Sequence, residues 1–311
     1  MAGGQERVLR RRIRSVQSTK KITKAMELIA ASQIVRAQNR IAANRPYREG
    51  MARIVVQTAL ADPRAAAKLL GTPQSVTSVG IVSIVGDRGL SGAYNSSVFR
   101  ATERLVAENT AAGATVRLFT VGKKAPSYFR FRGIDVERSF AGFTDRPSFA
   151  DAREVAAVAS ASFVAGEMDQ LLLVSTRFVS AGSQVVRRHQ LLPLPLPDSH
   201  QDADGESGDA HGTAATSTGP SGYTEFEPEP RKLLAELAPR AVESEIFSAL
   251  LEGSASFFTS QQRAMAAASD NADELIRMLS RVMNRARQDA ITNEIMEIVG
   301  GAEALRHSKG A

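Results

Sequence analysis

The C-terminal residues 240–299 combine a helix-forming composition with a regular spacing of apolar positions. They contain no proline and a single glycine, Gly253. Apolar residues recur there at alternating intervals of three and four, at Met265, Ala268, Ala272, Leu275, Leu279, Val282 and Ala286. This spacing is typical of a coiled-coil seam. Such a helix would be roughly 90 Å long, so the sequence predicts a helix that needs a partner along its length.

A second long helix is predicted at the other end of the chain. From Gln5 to Ala43 there is again no proline or glycine. Apolar positions fall at Leu9, Ile13 and Val16, then at Ile22, Met26 and Ile29, with alanines at Ala30, Ala31 and Ala37. The spacing breaks between Val16 and Ile22, so we expect two stripes in different registers and an irregular supercoil. The two helices pair most simply as an antiparallel coiled coil, and the alternative is two separate helices packed on a domain.

Between these helices, short β-branched runs alternate with helical stretches. Strands are expected at 78–85, 116–121, 134–140, 170–178 and 184–192. Helices are expected at 93–112, 123–132 and 149–165. Strands separated by helices of this length indicate a mostly parallel sheet with crossover helices, and the last two strands can form a hairpin. The middle of the chain is therefore predicted to be a Rossmann-like α/β domain.

The predicted organisation has four parts. They are an N-terminal coiled-coil helix (1–75), the α/β domain (76–192), a Pro/Gly-rich loop (193–230) and a C-terminal coiled-coil helix (231–311). Between Asp198 and Glu229 the loop holds eight acidic residues and no lysine or arginine. It has too few apolar groups to offset the entropy of ordering it, so we expect it to be flexible. The alternative is an acidic tether for a basic partner.

Composition excludes several classes of site. The chain has no cysteine, which excludes disulfides, thiolate metal sites and cysteine nucleophiles. Its four histidines are scattered, so no metal site or cofactor is expected. Residues 1–50 carry twelve lysines and arginines against three acids, and a basic helix can bind nucleic acid, an anionic membrane or an acidic protein surface. No apolar run reaches the length of about 18 residues that a membrane span needs, and a bacterial cytoplasm is the simplest location.

The segment GDRGLSG at 86–92 follows the first predicted strand and precedes a helix, where backbone donors favour anions. It matches neither the dinucleotide-binding glycine pattern nor the P-loop, and Ser91 lacks the spacing of a nucleophile elbow. We expect a structural loop in which Asp87 and Arg88 form a local ion pair, with Gly89 and Gly92 as structural residues. A partner contact is the alternative, and no catalytic residue is predicted.

Three longer strings are more specific than periodicity. They are RIRSVQSTKKITKAMELIAASQIVRAQ at 12–38, DRGLSGAYNSS at 87–97 and NRARQDAITNEIMEIVGGAEAL at 284–305. In this order they resemble the gamma subunits of bacterial rotary F-type ATP synthases, and the resemblance covers essentially the whole chain. The segment at 193–230 is longer and more acidic than the usual family connection. The thiol-regulated insert of chloroplast members is missing.

The resemblance implies a non-catalytic rotor shaft. In this family the terminal helices form an asymmetric antiparallel coiled coil inside a ring of alpha and beta subunits, and the α/β domain sits with epsilon on the membrane c-ring. Proton flow turns the shaft, which drives the beta subunits through their nucleotide states. The implied partners of the single copy are alpha, beta, delta, epsilon and the c-ring, with no nucleic acid. The implied location is the cytoplasmic face of the cell membrane, as a peripheral protein.

The resemblance also assigns contacts to two groups of residues. Lys20, Lys21 and Lys24 match the basic stretch that meets an acidic lever of the beta subunit. Met26 matches the position opposite that lever, and coiled-coil packing is an equal alternative for it. The second group matches positions that bind the beta subunit's catch loop or stabilise the rod: Arg287, Gln288, Thr292, Glu294 and Glu297. A solvated helix face is the competing explanation for this group.

Two other hypotheses remain open. A nucleotide-using α/β enzyme with helical arms predicts saturable nucleotide binding that depends on Asp87 or Ser91. A basic coiled-coil nucleic-acid binder predicts steeply salt-dependent affinity and bases stacked on aromatic side chains. The basic helix has no aromatic residue before Tyr47, which disfavours the second hypothesis.

Overall fold

A computed structural model describes residues 2–63, 75–194 and 226–308, with side chains described between 5 and 301. Most of the segment predicted as an acidic loop, residues 195–225, lies outside the described residues. The elements in chain order are α1 (Ala2–Ala61), β1 (Ser78–Ile84), α2 (Tyr94–Ala111), β2 (Thr115–Val121), α3 (Lys124–Phe131), β3 (Arg138–Phe140), α4 (Phe149–Val164), β4 (Gln170–Phe178), β5 (Gln184–Leu192) and α5 (Pro230–Ser308). The chain divides into two compact units, unit 1 (1–32 and 260–311) and unit 2 (33–259).

Unit 2 contains a five-stranded sheet in the order β3-β2-β1-β4-β5. The pairs β1–β2, β1–β4 and β2–β3 are parallel, and β5 runs antiparallel to β4. This confirms the mostly parallel sheet and the terminal hairpin. The strand expected at 134–140 is shorter, because the N–H of Ile134 bonds Phe129 O and so closes the turn that ends α3. Gly133 takes a φ of 71° in that turn, a conformation that favours glycine.

Helices cover both faces of this sheet. Alternate strand residues face opposite sides, so Val82, Phe119 and Leu173 belong to one core while Ile81, Leu118 and Val174 belong to the other. The first core is closed by α4 and by the parts of α1 and α5 that belong to unit 2. The second is closed by α2 and α3. This layering is the doubly covered arrangement that buried parallel strands require.

Both long helices continue through a proline. Helix α1 passes Pro46, and α5 begins at Pro230 and passes Pro239. The stretches free of proline, 5–43 and 240–299, therefore underestimate the two helices. A proline inside a helix removes one main-chain hydrogen bond. Burial of neighbouring residues such as Ala238 and Ala241 accompanies the continuous path at Pro239.

In unit 1, α1 and α5 form the antiparallel coiled coil that the sequence predicts. Lys20 contacts Asp273, and three residues later on α1 Thr23 contacts Ser269, four residues earlier on α5. Leu9 and Ile13 form an apolar cluster with Leu279. Because partner numbers fall along α5 as they rise along α1, the helices run in opposite directions.

The seam residues differ from those predicted. On α1 one unbroken spacing of four and three connects seven buried or half-buried positions: Leu9, Ile13, Val16, Lys20, Thr23, Glu27 and Ala30, with Met26 and Ala31 half-buried beside them. On α5 the same spacing connects Met265, Ser269, Ala272, Ile276, Leu279, Met283 and Ala286, with Ala266, Ala268, Asp273 and Ser280 half-buried beside them. The predicted register break after Val16 is therefore wrong. Ile22 and Ile29 are 58% and 59% exposed, and Leu275 and Val282 are 38% and 46% exposed. The polar residues Lys20 and Thr23 lie in the seam, whereas the predicted seam residue Ile22 faces outward.

Candidate partner-binding surface

The three lysines predicted to meet a partner are not equivalent. Lys20 Nζ lies 2.6 Å from Asp273 Oδ1 on the facing helix. Lys24 Nζ lies 3.0 Å from Glu27 Oε1 on the same helix. Lys21 is exposed and makes no ion pair with the described residues. Lys21 therefore presents the least compensated charge of the group.

Met26 is half-buried beside an exposed apolar surface on α1. That surface consists of Ile22, Leu28 and Ile29. On α5 the apolar residues Met278 and Val282 are also about half exposed. Sequence reasoning missed this surface because it assigned Ile22, Ile29 and Val282 to the seam. Treating Lys20 with Asp273 as an interhelical pair would have identified the correct register and turned these residues outward.

All residues of the second predicted group are exposed, and three of them, Thr292, Glu294 and Glu297, lie on a part of α5 that is exposed on all sides. Arg287, Gln288, Thr292, Glu294 and Glu297 are all exposed, as is every residue from 291 to 301. The register explains this exposure. Lys20, which pairs with Asp273, is eighteen residues from the start of α1 at Ala2. Eighteen residues after Asp273, α5 reaches Ile291, so Ile291 lies level with the start of α1. Later residues of α5 therefore extend past the start of α1.

This terminal part of α5 is rich in apolar side chains. Ile291, Ile295, Met296, Ile298 and Val299 are exposed by 48% to 71%. An isolated helix with this many exposed apolar residues is typical of a partner-binding segment. Thr292 Oγ1 donates to Gln288 O at 3.0 Å, so its hydroxyl is engaged within the helix.

The structure does not bring the two predicted groups together. Arg287 is fourteen residues beyond Asp273 on α5, which corresponds to about 21 Å along a helix axis. Glu297 is ten residues further, or about 15 Å more. The two groups therefore form separate contact regions on unit 1.

In unit 2, the loop at 86–92 is fixed by the carboxylate of Asp87. It accepts hydrogen bonds from the N–H groups of Lys123, Gly142 and Thr144 and from the Thr144 hydroxyl, at 2.9–3.0 Å. Burial acts to raise the pKa of Asp87, but the hydrogen bonds from Gly142, Thr144 and Lys123 outweigh it, so this pKa is lowered. Asp87 therefore ties the end of β1 to the segments that follow β2 and β3.

Arg88 pairs with a different aspartate from the one predicted. Its Nε lies 3.1 Å from Asp145 Oδ2, so the local Asp87–Arg88 ion pair is wrong. The Asp87 carboxylate is already saturated by main-chain donors, which leaves Arg88 to the next acidic residue within reach. Burial raises the pKa of Asp145, against the opposing effect of Arg88.

The backbone of this loop takes two left-handed conformations. Leu90 has a φ of 64° and Gly92 a φ of 56°. Asn95 holds the loop from the helix side, accepting from Gly86 N and donating to Arg88 O. Two main-chain donors of the loop are already used within the protein, Gly86 N by Asn95 Oδ1 and Asp87 N by Thr144 Oγ1, and the Asp87 carboxylate places a negative charge beside the position that a phosphate would occupy. This arrangement disfavours the nucleotide-binding hypothesis.

No group of three or more histidine, aspartate or glutamate side chains among the described residues could hold a metal ion. None of the helices, as far as they are described, has a stretch long and apolar enough to span a membrane.

Comparison with known proteins identifies the family. Residues 5–305 match the family described as ATP synthase. The ATP synthase gamma chain of Frankia casuarinae is 44% identical over 310 residues, covering 97% of this chain and 98% of that protein. The ATP synthase gamma chain of Streptomyces coelicolor is 42% identical over 307 residues, covering 97% of each.

Solved structures agree with this assignment. A chain of the central stalk and c-ring of the Tetrahymena thermophila mitochondrial ATP synthase superposes with a TM-score of 0.59 at 25% identity, covering 80% of this chain and 99% of that one. A chain of the Euglena gracilis mitochondrial ATP synthase superposes with a TM-score of 0.64 at 18% identity, covering 99% of this chain and 97% of that one, which supports the fold alone. From its sequence over nearly its full length, the chain belongs to the ATP synthase gamma chain family.

Proposed function

We propose that this chain is the central rotor shaft of a proton-translocating F-type ATP synthase. It would transmit torque between the membrane c-ring and the catalytic beta subunits, and carry out no chemistry itself. The observation that carries this proposal is the exposed apolar helix from 291 to 301, which has no partner among the described residues. A helix of this kind needs a surrounding protein surface to bury it. Membership of the gamma chain family supports a ring of alpha and beta subunits as that surface.

The pairing of two unlike helices supports a role in rotation. A coil of two different helices has no rotational symmetry, so it presents different side chains in each direction. A surrounding ring of similar subunits would then meet a different face of the shaft at each position. One copy of the chain per complex follows from this asymmetry. The proposed partners are alpha, beta, delta, epsilon and the c-ring, at the cytoplasmic face of the membrane.

We infer that the beta subunits contact the two exposed groups on unit 1. The first consists of Lys21, Lys24 and Met26, and the second of Arg287, Gln288, Thr292, Glu294 and Glu297. Exposure supports this inference, since every side chain of the two groups is exposed except that of Met26, which is half-buried beside exposed Ile22 and Ile29. Lys20 was expected in the first group, but it would meet a beta subunit only as a pair with Asp273.

Affinity purification from the native host tests the proposal. We expect alpha and beta subunits to copurify with the tagged chain, and native mass spectrometry to give one copy of it per complex. A chain that purifies alone, or that shows saturable nucleotide turnover in isolation, would contradict the proposal.

Met26→Lys tests the first contact group. An additional charge beside Lys21 and Lys24 would hold an acidic partner surface too tightly for efficient rotation. We expect the complex to assemble but ATP hydrolysis to drive less proton pumping, measured in membrane vesicles. Met26→Leu, which keeps an apolar side chain, should retain coupling. Normal coupling in Met26→Lys would count against the assigned contact.

A further inference from the structure

The coiled-coil seam of unit 1 changes character along its length. Between Leu9 and Val16, α1 packs apolar side chains against Leu279 and Ile276. The next seam positions on α1 are polar or small: Lys20, Thr23, Glu27 and Ala30. Opposite this part, the buried or half-buried residues of α5 include Ala266, Ala268, Ser269 and Ala272, with Met265 as a larger one. Small residues allow close helix contact but pack similarly in several registers, so they specify alignment poorly.

Two polar contacts cross the seam at this place. Lys20 Nζ lies 2.6 Å from Asp273 Oδ1, in a half-exposed setting. Thr23 Oγ1 and Ser269 Oγ lie 2.7 Å apart and both residues are buried. Each hydroxyl also contacts a carbonyl of its own helix, Lys20 O for Thr23 and Met265 O for Ser269. These contacts link α1 to α5 where the apolar packing is least specific.

Sliding α5 by one heptad still places apolar residues opposite Leu9, Ile13 and Val16, although two of them are smaller. With each α1 residue facing a residue one heptad later on α5, Ile13 would meet Ala286 in place of Leu279. Lys20 would then meet Ser280, and Thr23 would meet Ile276. In the opposite slide Lys20 would meet Ala266. Both slides leave Lys20 without a carboxylate and Thr23 without the Ser269 hydroxyl, so the polar contacts distinguish registers that the apolar residues distinguish weakly.

We propose that Lys20 and Thr23 are positioning residues, which fix the axial register of α1 against α5 through Asp273 and Ser269. The register sets which α5 residues lie level with Lys21 and Met26, and how far α5 extends beyond the start of α1. The inference stands on the contacts within unit 1. It holds or fails independently of the proposed function.

Engineered cysteines can measure the register, because the full chain has no native cysteine. The pair Ile13→Cys with Leu279→Cys reports the native register, and Ile13→Cys with Ala286→Cys reports the slide by one heptad. In the otherwise unchanged full-length chain, we expect native cross-linking to exceed slid cross-linking at least about tenfold. In Lys20→Ala/Thr23→Ala, we expect this ratio to fall at least about fivefold.

The matched control is Thr19→Ala/Lys21→Ala, which removes the same residue types from exposed positions on the same helix. It should leave the ratio unchanged. The exchange Lys20→Asp/Asp273→Lys should also keep the native ratio, because it restores the pair. An unchanged ratio in Lys20→Ala/Thr23→Ala, or an equal fall in the control, would overturn the proposal. If Lys20→Ala/Thr23→Ala unfolds and gives neither cross-link, the test is the exchange variant Lys20→Asp/Asp273→Lys. Native cross-linking in that variant supports the proposal, and its loss overturns it.

Discussion

Unit 1 and unit 2 use their apolar residues in opposite ways. Unit 2 buries many of its large side chains completely, among them Phe119, Phe129 and Leu173, although Phe131 is exposed. Unit 1 has a narrow seam that includes lysine, threonine and serine, while Ile22, Leu28 and Ile298 face outward. Unit 2 therefore contains the apolar burial that stabilises it. Unit 1 turns much of its apolar surface to the outside, where only a partner can bury it.

The largest expected effect comes from the same truncation made in each unit. Leu173→Ala leaves a cavity between the sheet and the helices that cover it, and should lower the free energy of unfolding by about 2–5 kcal/mol. Leu28→Ala removes a side chain that is 63% exposed, and should change it by less than about 0.5 kcal/mol. Chemical denaturation followed by circular dichroism measures both. Equal losses would show that unit 1 already buries Leu28.

Asp87→Asn tests whether the loop of unit 2 is held by charge. The variant keeps one acceptor but places an amide against main-chain donors, so we expect a loss of about 1–3 kcal/mol in unfolding free energy at neutral pH. Because the folded pKa of Asp87 is lowered, its ionised form stabilises the fold above the ordinary aspartate pKa. This stabilisation is lost as pH falls through the folded pKa, so the wild type and the variant should converge in acid.

Asp135→Asn is the control for this change, since Asp135 is exposed on the same unit. It should leave stability nearly constant at both pH values. A difference between the wild type and Asp87→Asn that persists unchanged at low pH would contradict the electrostatic explanation and leave only a packing effect.

The same contrast explains which parts of the structure could be predicted. The strands of unit 2 follow from dense β-branched runs, and β4 and β5 have the predicted bounds because both periodicity and length support them. The proline-free stretches are shorter than the observed helices, because Pro46 and Pro239 lie inside helices that the surrounding packing stabilises. Local rules on proline describe an isolated helix and omit this tertiary contribution.

The seam of unit 1 shows a different limit. From Met265 to Ala286, spacing of three then four and spacing of four then three share Met265, Ala272, Leu279 and Ala286. They differ in choosing Ala268 or Ser269, Leu275 or Ile276, and Val282 or Met283, and in the last two choices both residues are apolar. The choice depends on Lys20 and Thr23 of the other helix, so a pattern read along one helix cannot resolve it. The predicted contact residues Arg287, Gln288, Thr292, Glu294 and Glu297 are exposed, and their contact with a partner stays a prediction, whereas Lys20 pairs with Asp273 across the seam.

Ile298→Ser sharpens the comparison at the end of α5. Ile298 is 71% exposed, so the free chain should keep its stability. If a ring of alpha and beta subunits buries this residue, association should weaken about tenfold. Val164→Ser in unit 2, at 73% exposure, is the matched control and should not change association with alpha and beta. Assembly of purified subunits at graded concentrations measures both, and equal behaviour of the two variants would remove the special role of this helix end.

The smallest expected effect distinguishes two neighbouring lysines. Lys24 is already compensated by Glu27, whereas Lys21 has no ion pair with the described residues. Lys21→Ala should therefore weaken association with alpha and beta by about two- to fivefold, and Lys24→Ala by less, because exposed charge pairs contribute little. Added salt should reduce the Lys21 effect, since it screens exposed charges. If instead Lys24→Ala has the larger, salt-sensitive effect, the Lys24–Glu27 pair must open on binding. The charge that unit 1 presents to its partner would then depend on binding, and the ion pairs of the free chain would not predict it.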